Sequence, residues 1–146
     1  MKFVSHGYMA GGGGQHALHT YLGHMAAEEF PEFRWQRTAS EQAYLIHQSI
    51  DANWRVEVAA YTDWMVPVGI LVLTEDEDMH VGRCLSVQWQ YVLPEYRNAG
   101  IAHRFMRTAI QLARQEGYPV LAYSHRVGPG EYSIKYRRIS GACARR

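Results

Sequence analysis

Val92-Leu93-Pro94-Glu95-Tyr96-Arg97-Asn98-Ala99-Gly100-Ile101-Ala102 joins two segments of different period, and the architecture of the chain follows from that joint. An alternating apolar and polar segment runs into it, and an amphipathic segment of helical period runs out. A strand, a tight basic turn and a helix start therefore follow one another directly. The first N–H groups of such a helix have no acceptor inside it, and the aligned peptide dipoles add partial positive charge. A helix start of this kind can seat a phosphate or pyrophosphate. Gly100 permits close approach, Ala102 keeps the helix entrance small, and Arg97 adds a permanent charge.

Upstream of this junction, Cys84–Leu93 alternates at period two. Leu85, Val87, Trp89, Tyr91 and Leu93 face one way, and Ser86, Gln88 and Gln90 the other. Downstream, Ile101–Glu116 is the best-defined helix. Ile101, Phe105, Ala109 and Ala113 form its apolar stripe, His103, Arg104, Arg107, Gln111 and Arg114 its wet face, and Gly117 its stop. Tyr118–Ser124 reads as the next strand, completing a strand–helix–strand crossover.

Earlier in the chain, residues 2–9 suit an opening strand, and Gly11–Gly14 reads as a loop. Leu18, Leu22, Met25 and Ala26 mark a helix over Gln15–Phe30, ended by Pro31. Thr38-Ala39-Ser40-Glu41 is a capping box ahead of a second helix with Ala43, Ile46, His47 and Ile50 on one stripe. Trp54–Tyr61 and Val66–Thr74 read as strands joined through a turn at Thr62-Asp63. Glu75–Asp78 is expected to be a solvated loop, and Glu131–Ile139 a short final helix. The whole chain, residues 1–146, reads as one domain of α+β class, without internal repeat or linker.

At Val92, Pro94, Arg97, Gly100 and Ala102 the sequence resembles the GNAT superfamily of N-acetyltransferases, whose acetyl-CoA motif is Val-x-Pro-x-x-(Arg/Gln)-x-x-Gly-x-(Gly/Ala). The element order is similar over about residues 1–140. The resemblance implies a central, mostly antiparallel sheet flanked by helices, with two central strands splayed apart to admit the pantetheine arm of acetyl-CoA. It implies that Gln90, Tyr91 and Val92 line that arm. Arg97, Asn98, Ala99, Gly100, Ile101, Ala102 and His103 would surround the pyrophosphate. The family usually ends with two strands after its last helix, and here only Ser140–Arg146 follows the helix expected at 131–139. The C-terminal strands are therefore expected to be missing, leaving a sheet edge for a neighbouring chain.

The same resemblance implies direct transfer of an acetyl group to a primary amine, with a tyrosine on the last helix as general acid. Tyr136 stands at the expected place, and Tyr132 is its competitor. Ser86, Gln88 and Gln90 occupy the strand on which relatives carry a glutamate base, and none takes a proton near neutral pH. His125 or a water chain would serve instead. The acceptor would be a small-molecule amine or a Lys-bearing peptide. An alternative is a catalytically silent GNAT-like protein in a larger assembly, such as a phage-type particle, or a homo-oligomer.

Composition narrows the remaining classes. No apolar run approaches the roughly 20 residues needed to cross a bilayer, so no membrane partner is expected. Cys84 and Cys143 are 59 positions apart without ligand spacing and read as free thiols of a cytoplasmic protein. The net charge of +1 hides an asymmetry: residues 1–96 carry 5 Lys/Arg against 12 Asp/Glu, and residues 97–146 carry 10 against 2. The basic third suits an anionic ligand. Glu28, Glu29, Glu32, Asp63 and Glu75–Asp78 would draw a cationic amine. Nucleic acid is disfavoured, because no stacking aromatics alternate with Arg104, Arg107, Arg114 and Lys135–Arg138. His16, His19 and His24 lack converging ligands, so no metal is expected.

Overall fold

The computed structural model describes residues 1–12 and 15–141. Cys143 and, in the Gly11–Gly14 loop, Gly13 and Gly14 lie outside these. The elements are β1 (Lys2–Tyr8), α1 (His16–Glu29), α2 (Ala39–Asp51), β2 (Arg55–Tyr61), β3 (Pro67–Asp78), β4 (Gly82–Val92), α3 (Ile101–Glu116), β5 (Val120–Gly128) and β6 (Glu131–Arg138). Short 3-10 turns at Pro31–Arg34 and Pro94–Tyr96 follow α1 and β4.

The six strands form one sheet in chain order. All neighbours are antiparallel except β4 and β5, which run parallel because α3 carries the chain across between them. α3 buries Ile101, Phe105, Ala109 and Ala113, the stripe read from its period. Its C-cap, Gly117, adopts φ 76°, a left-handed conformation open to glycine. At α2, Thr38 accepts from the Glu41 N–H at 3.2 Å while Glu41 accepts from the Thr38 N–H at 3.0 Å, so the capping box forms in full. Leu22 and Ala26 of α1 join Val58, Ile70, Leu71, Val72, Leu73, Leu85 and Leu121 in the core.

Two expectations are corrected. Glu75–Asp78 is not a loop: β3 continues through it, with Glu75 opposite Leu85 and Asp78 opposite Gly82. The backbone ladder and the Arg83 ion pair to Glu75 offset the weak strand preference of acids. Asp78 then organises the turn by accepting from the N–H groups of His80 and Val81.

Residues 131–138 are a strand, not the final helix. Gly130, at φ 69°, turns the chain into a hairpin, and Tyr132, Ile134 and Tyr136 share one face at period two. β6 follows β5 through a turn with no helix between them, so a closing strand is present where none was expected.

Candidate functional site

The site begins at an irregularity in β4. Trp89 pairs with Val72 and Val87 with Leu73, so Gln88 is an extra residue bulged out of the ladder. β4 and β5 stay paired only at Leu85–Leu121 and Ser86–Ala122. Beyond that point they part. The gap is a cavity of ≈ 510 Å3 lined by β4 from Val87 to Val92, by Ser124, His125 and Arg126 of β5, and by Phe30, Phe33, Arg97, Ala102 and Tyr132.

One end of the cavity meets the start of α3. Gly100 there has φ 78°, and no side chain caps the helix. A Cβ built on Gly100 would find open space within 4 Å. The N–H groups of Ile101, Ala102 and His103 precede the first intrahelical bond, which Arg104 donates to the Gly100 carbonyl. The residues present fit an anionic, phosphate-bearing ligand at this end.

Of the residues expected to hold the cofactor, Gln90, Tyr91, Val92, Arg97 and Ala102 line the cavity. Asn98, Ala99, Gly100, Ile101 and His103 surround the helix start without lining it. Arg97 does something the motif alone does not convey. Its Nη1 and Nη2 each stand 2.6 Å from a carboxylate oxygen of Glu29, and its Nε donates to the Val92 carbonyl at 3.1 Å. The Tyr91 hydroxyl donates to the same Glu29 at 2.8 Å. Burial disfavours the Glu29 carboxylate, but the Arg97 and Tyr91 hydrogen bonds outweigh it and hold the group below the usual carboxylate range.

The opposite wall is built by the turn after α1 and the β5–β6 hairpin. Arg126 donates to Glu32 through Nε at 2.7 Å and Nη2 at 2.9 Å, and the Tyr132 hydroxyl donates to Glu32 at 2.7 Å. Arg126 also lies over the Phe30 ring, 4.4 Å from its centroid. These contacts depress the Glu32 pKa, with the Arg126 hydrogen bond as the main cause. Burial and the hydrogen bond to Glu32 push the Tyr132 phenol up to about 12. Trp35 rests on Gly130, where a Cβ would stand 2.5 Å from the indole.

Tyr136 sits elsewhere. It is on β6, and its hydroxyl donates to Asp78 at 2.9 Å and lies 3.3 Å from His80 Nδ1, outside the cavity lining. His125 lies within β5, not after it, and lines the cavity. Phe30, Phe33, Ser124 and Arg126 are lining residues that the sequence reading did not single out. The one available signal was an aromatic pair around Pro31-Glu32 directly after a helix.

Glu29 and Glu32, two of the acids expected to draw a cation, are engaged by Arg97 and Arg126 from the basic third of the chain. Among the described residues no Asp or Glu lines the cavity. Among the described residues no cluster of three or more His, Cys, Asp or Glu could hold a metal, and no helix is long and apolar enough to cross a membrane.

Solved structures share this architecture. An aminoglycoside 6'-N-acetyltransferase from Acinetobacter haemolyticus matches with TM-score 0.56 and 18% identity over 87% of this chain and 81% of that one. A ribosomal-protein-alanine N-acetyltransferase from Brucella melitensis biovar Abortus matches with TM-score 0.57 and 15% identity, covering 87% and 82%. The aminoglycoside enzyme AAC(6')-Iy, bound to the bisubstrate analogue CoA-S-monomethyl-acetylneamine, matches with TM-score 0.53 and 15% identity, covering 87% of this chain and 82% of that one. No curated protein shows significant similarity to the sequence. The model of the acetyltransferase (GNAT) family matches residues 15–139, most of the chain, and with the splayed strands and the open helix start this places the protein in the GNAT acetyltransferase family.

Proposed function

We propose that the protein transfers an acetyl group from acetyl-CoA to the primary amine of a small molecule. The observation that carries this reading is the parting of β4 from β5 after Ser86–Ala122, which opens a cavity running to the uncapped start of α3. Acetyl-CoA would supply an acyl carbon already activated as a thioester. Gln90, Tyr91 and Val92 hold its arm along β4, and the N–H groups of Ile101, Ala102 and His103 receive its pyrophosphate. Proximity and orientation supply most of the rate.

His125, exposed on the cavity wall, takes the proton that the amine releases, directly or through a water. The acid role expected of Tyr136 passes to Tyr132 on position. With its phenol near 12, well above a thiol at about 8.5, Tyr132 keeps its proton; its O–H turns from Glu32 to the departing sulfur and steadies it by a hydrogen bond rather than by full transfer.

The lining also bears on the acceptor. Its charged members are Arg97 and Arg126, and the rest includes Phe30, Phe33, Trp89 and Tyr91. A polycation would find the nearby carboxylates of Glu29 and Glu32 already paired with Arg97 and Arg126, whereas a monoamine with an apolar or aromatic body would meet matching surface. The acceptor is thus a small monoamine rather than an aminoglycoside or a Lys-bearing peptide.

The test is calorimetric titration with acetyl-CoA, with Gly100→Trp as control, followed by CoA release assayed with 2-phenylethylamine, an aminoglycoside and a Lys peptide. Micromolar binding abolished in the control, with turnover of the arylalkylamine, supports the proposal. Absence of binding at millimolar acetyl-CoA rejects it.

A further inference from the structure

β6 is the last strand of the sheet, and no described residue pairs with its outer edge. Every residue from Glu131 to Arg138 except Ser133 is exposed. Ile134, at its middle, is 66% exposed although it belongs to a six-stranded sheet. After Arg138 the chain turns onto α3, where Arg114 Nε donates to the Ser140 carbonyl at 3.0 Å, so the described residues beyond β6 do not fold over its edge. A strand left in this state is a template for another strand.

We propose that this edge pairs with the same edge of a second copy, antiparallel about a two-fold axis at Ile134, so that one sheet runs through both molecules. The sequence selects the register. Two-fold antiparallel pairing keeps each residue on its own face, so only residues of equal parity can stand opposite one another. With Ile134 on the axis, Glu131 faces the partner's Arg137, Tyr132 faces the partner's Tyr136, and Ser133 faces the partner's Lys135. Two ion pairs and two aromatic pairs then flank a central apolar pair, using the strand from Glu131 to Arg137.

The neighbouring registers are worse. Lys135 on the axis sets two lysines opposite each other. Tyr136 on the axis sets Lys135 against Arg137. Like charges directly opposite are destabilising. Ser133 on the axis keeps a Glu131–Lys135 pair but confines the ladder to residues 131–135, because the next positions are Gly130 and Pro129 of the turn and Pro129 has no N–H to donate. The other sheet edge, β1, offers no ion pair in any antiparallel register, since Lys2 is its single Lys, Arg, Asp or Glu. In the chosen register the partner's Tyr136 stands across from Tyr132, which lines the cavity, so each cleft lies beside the interface.

Sedimentation of the protein without cofactor tests this separately from its chemistry. The wild type should sediment at twice the chain mass of 16.7 kDa at micromolar concentration. Glu131→Lys and Arg137→Glu, each alone, should weaken the dimer by about tenfold, because two cross-strand pairs turn from attraction to repulsion at once. The double variant Glu131→Lys/Arg137→Glu should restore it. Ile134→Lys, which brings two lysines together on the axis, should give a monomer with an unchanged circular dichroism spectrum. A wild-type monomer at all concentrations overturns the proposal. So does a dimer that these single changes leave intact, or a double variant that fails to recover.

Discussion

Arg97 and Glu29 form a two-pronged ion pair, each guanidinium nitrogen 2.6 Å from a carboxylate oxygen, between the motif turn and the last residue of α1. The pair joins residues 68 positions apart and neutralises the charge that the motif brings to the cavity. Arg97 is partly exposed, so solvent screens the interaction and its effect on stability is modest.

Removing the carboxylate leaves that guanidinium free to meet a pyrophosphate. Glu29→Gln should therefore tighten acetyl-CoA binding by about three- to tenfold, while Arg97→Ala should loosen it by about tenfold. Calorimetry on both variants reads the two directions. If neither changes the affinity, the guanidinium has no part in holding the cofactor.

The two tyrosines of β6 separate by position. Each donates to a carboxylate, Tyr132 to Glu32 and Tyr136 to Asp78, but Tyr132 lines the cavity and Tyr136 lies outside it. Tyr132→Phe should lower kcat about tenfold with little change in KM, a modest loss because a phenol near 12 is a weak proton donor. Tyr136→Phe should stay close to the wild type. Steady-state CoA release on both variants decides, and the reverse ranking would return the acid role to Tyr136.

Glu32 makes the β5–β6 wall sensitive to acid. Arg126 and Tyr132 hold its carboxyl well below the ordinary value of 4.5, so the native state sheds that proton more readily than the unfolded chain. The resulting stability is complete above the unfolded value and is lost as pH falls through the depressed native one. Glu32→Gln should cost about 1–3 kcal/mol at neutral pH. Urea melts of the two proteins should converge as the solution is acidified toward the depressed value. A constant difference across that range would sink the idea.

The elements that sequence made legible are those whose signal is local. The Thr38–Glu41 box, the Ile101–Ala113 stripe and the glycines at 100 and 117 act within one or two turns of backbone, and each stands where its spacing places it. β6 is not legible in the same way, because Tyr132, Ile134 and Tyr136 alternate over too few residues to decide strand from helix without the pairing to β5. On the β4 side of the cavity Gln90, Tyr91 and Val92 stand where the motif implies, but the opposite wall, from Phe30 to Arg126, has no local signal. Glu29 meets Arg97, and Glu32 meets Arg126 across 94 positions, only because the sheet and α1 bring them together. His19 shows the same limit: on a helix of mixed polarity nothing local distinguishes a buried histidine from a solvated one.

That histidine belongs to a buried chain of polar groups beneath α1 and α2. Arg55 Nε donates to Glu57 at 2.6 Å, and His19 Nε2 meets the other Glu57 oxygen at 2.7 Å. The His19 and His47 Nδ1 atoms stand 3.0 Å apart and share one proton, since two would clash. Arg55 and His19 are wholly buried, and Glu57 is 2% exposed. Burial opposes the Glu57 charge, but His19 and Arg55 overcome it and keep the carboxyl below its usual range. Removing that carboxylate takes away the shortest ion pair of the buried Arg55 and leaves its charge to Asp51 at 3.6 Å, the Asn53 carbonyl and the Tyr8 ring. Glu57→Leu should therefore cost about 3–5 kcal/mol, whereas Glu57→Leu with Arg55→Met should recover much of it. Chemical denaturation of the two variants measures the difference. A double variant no more stable than the single one would mean that the network holds α1 and α2 on the sheet by its geometry, and not merely by keeping Arg55 paired.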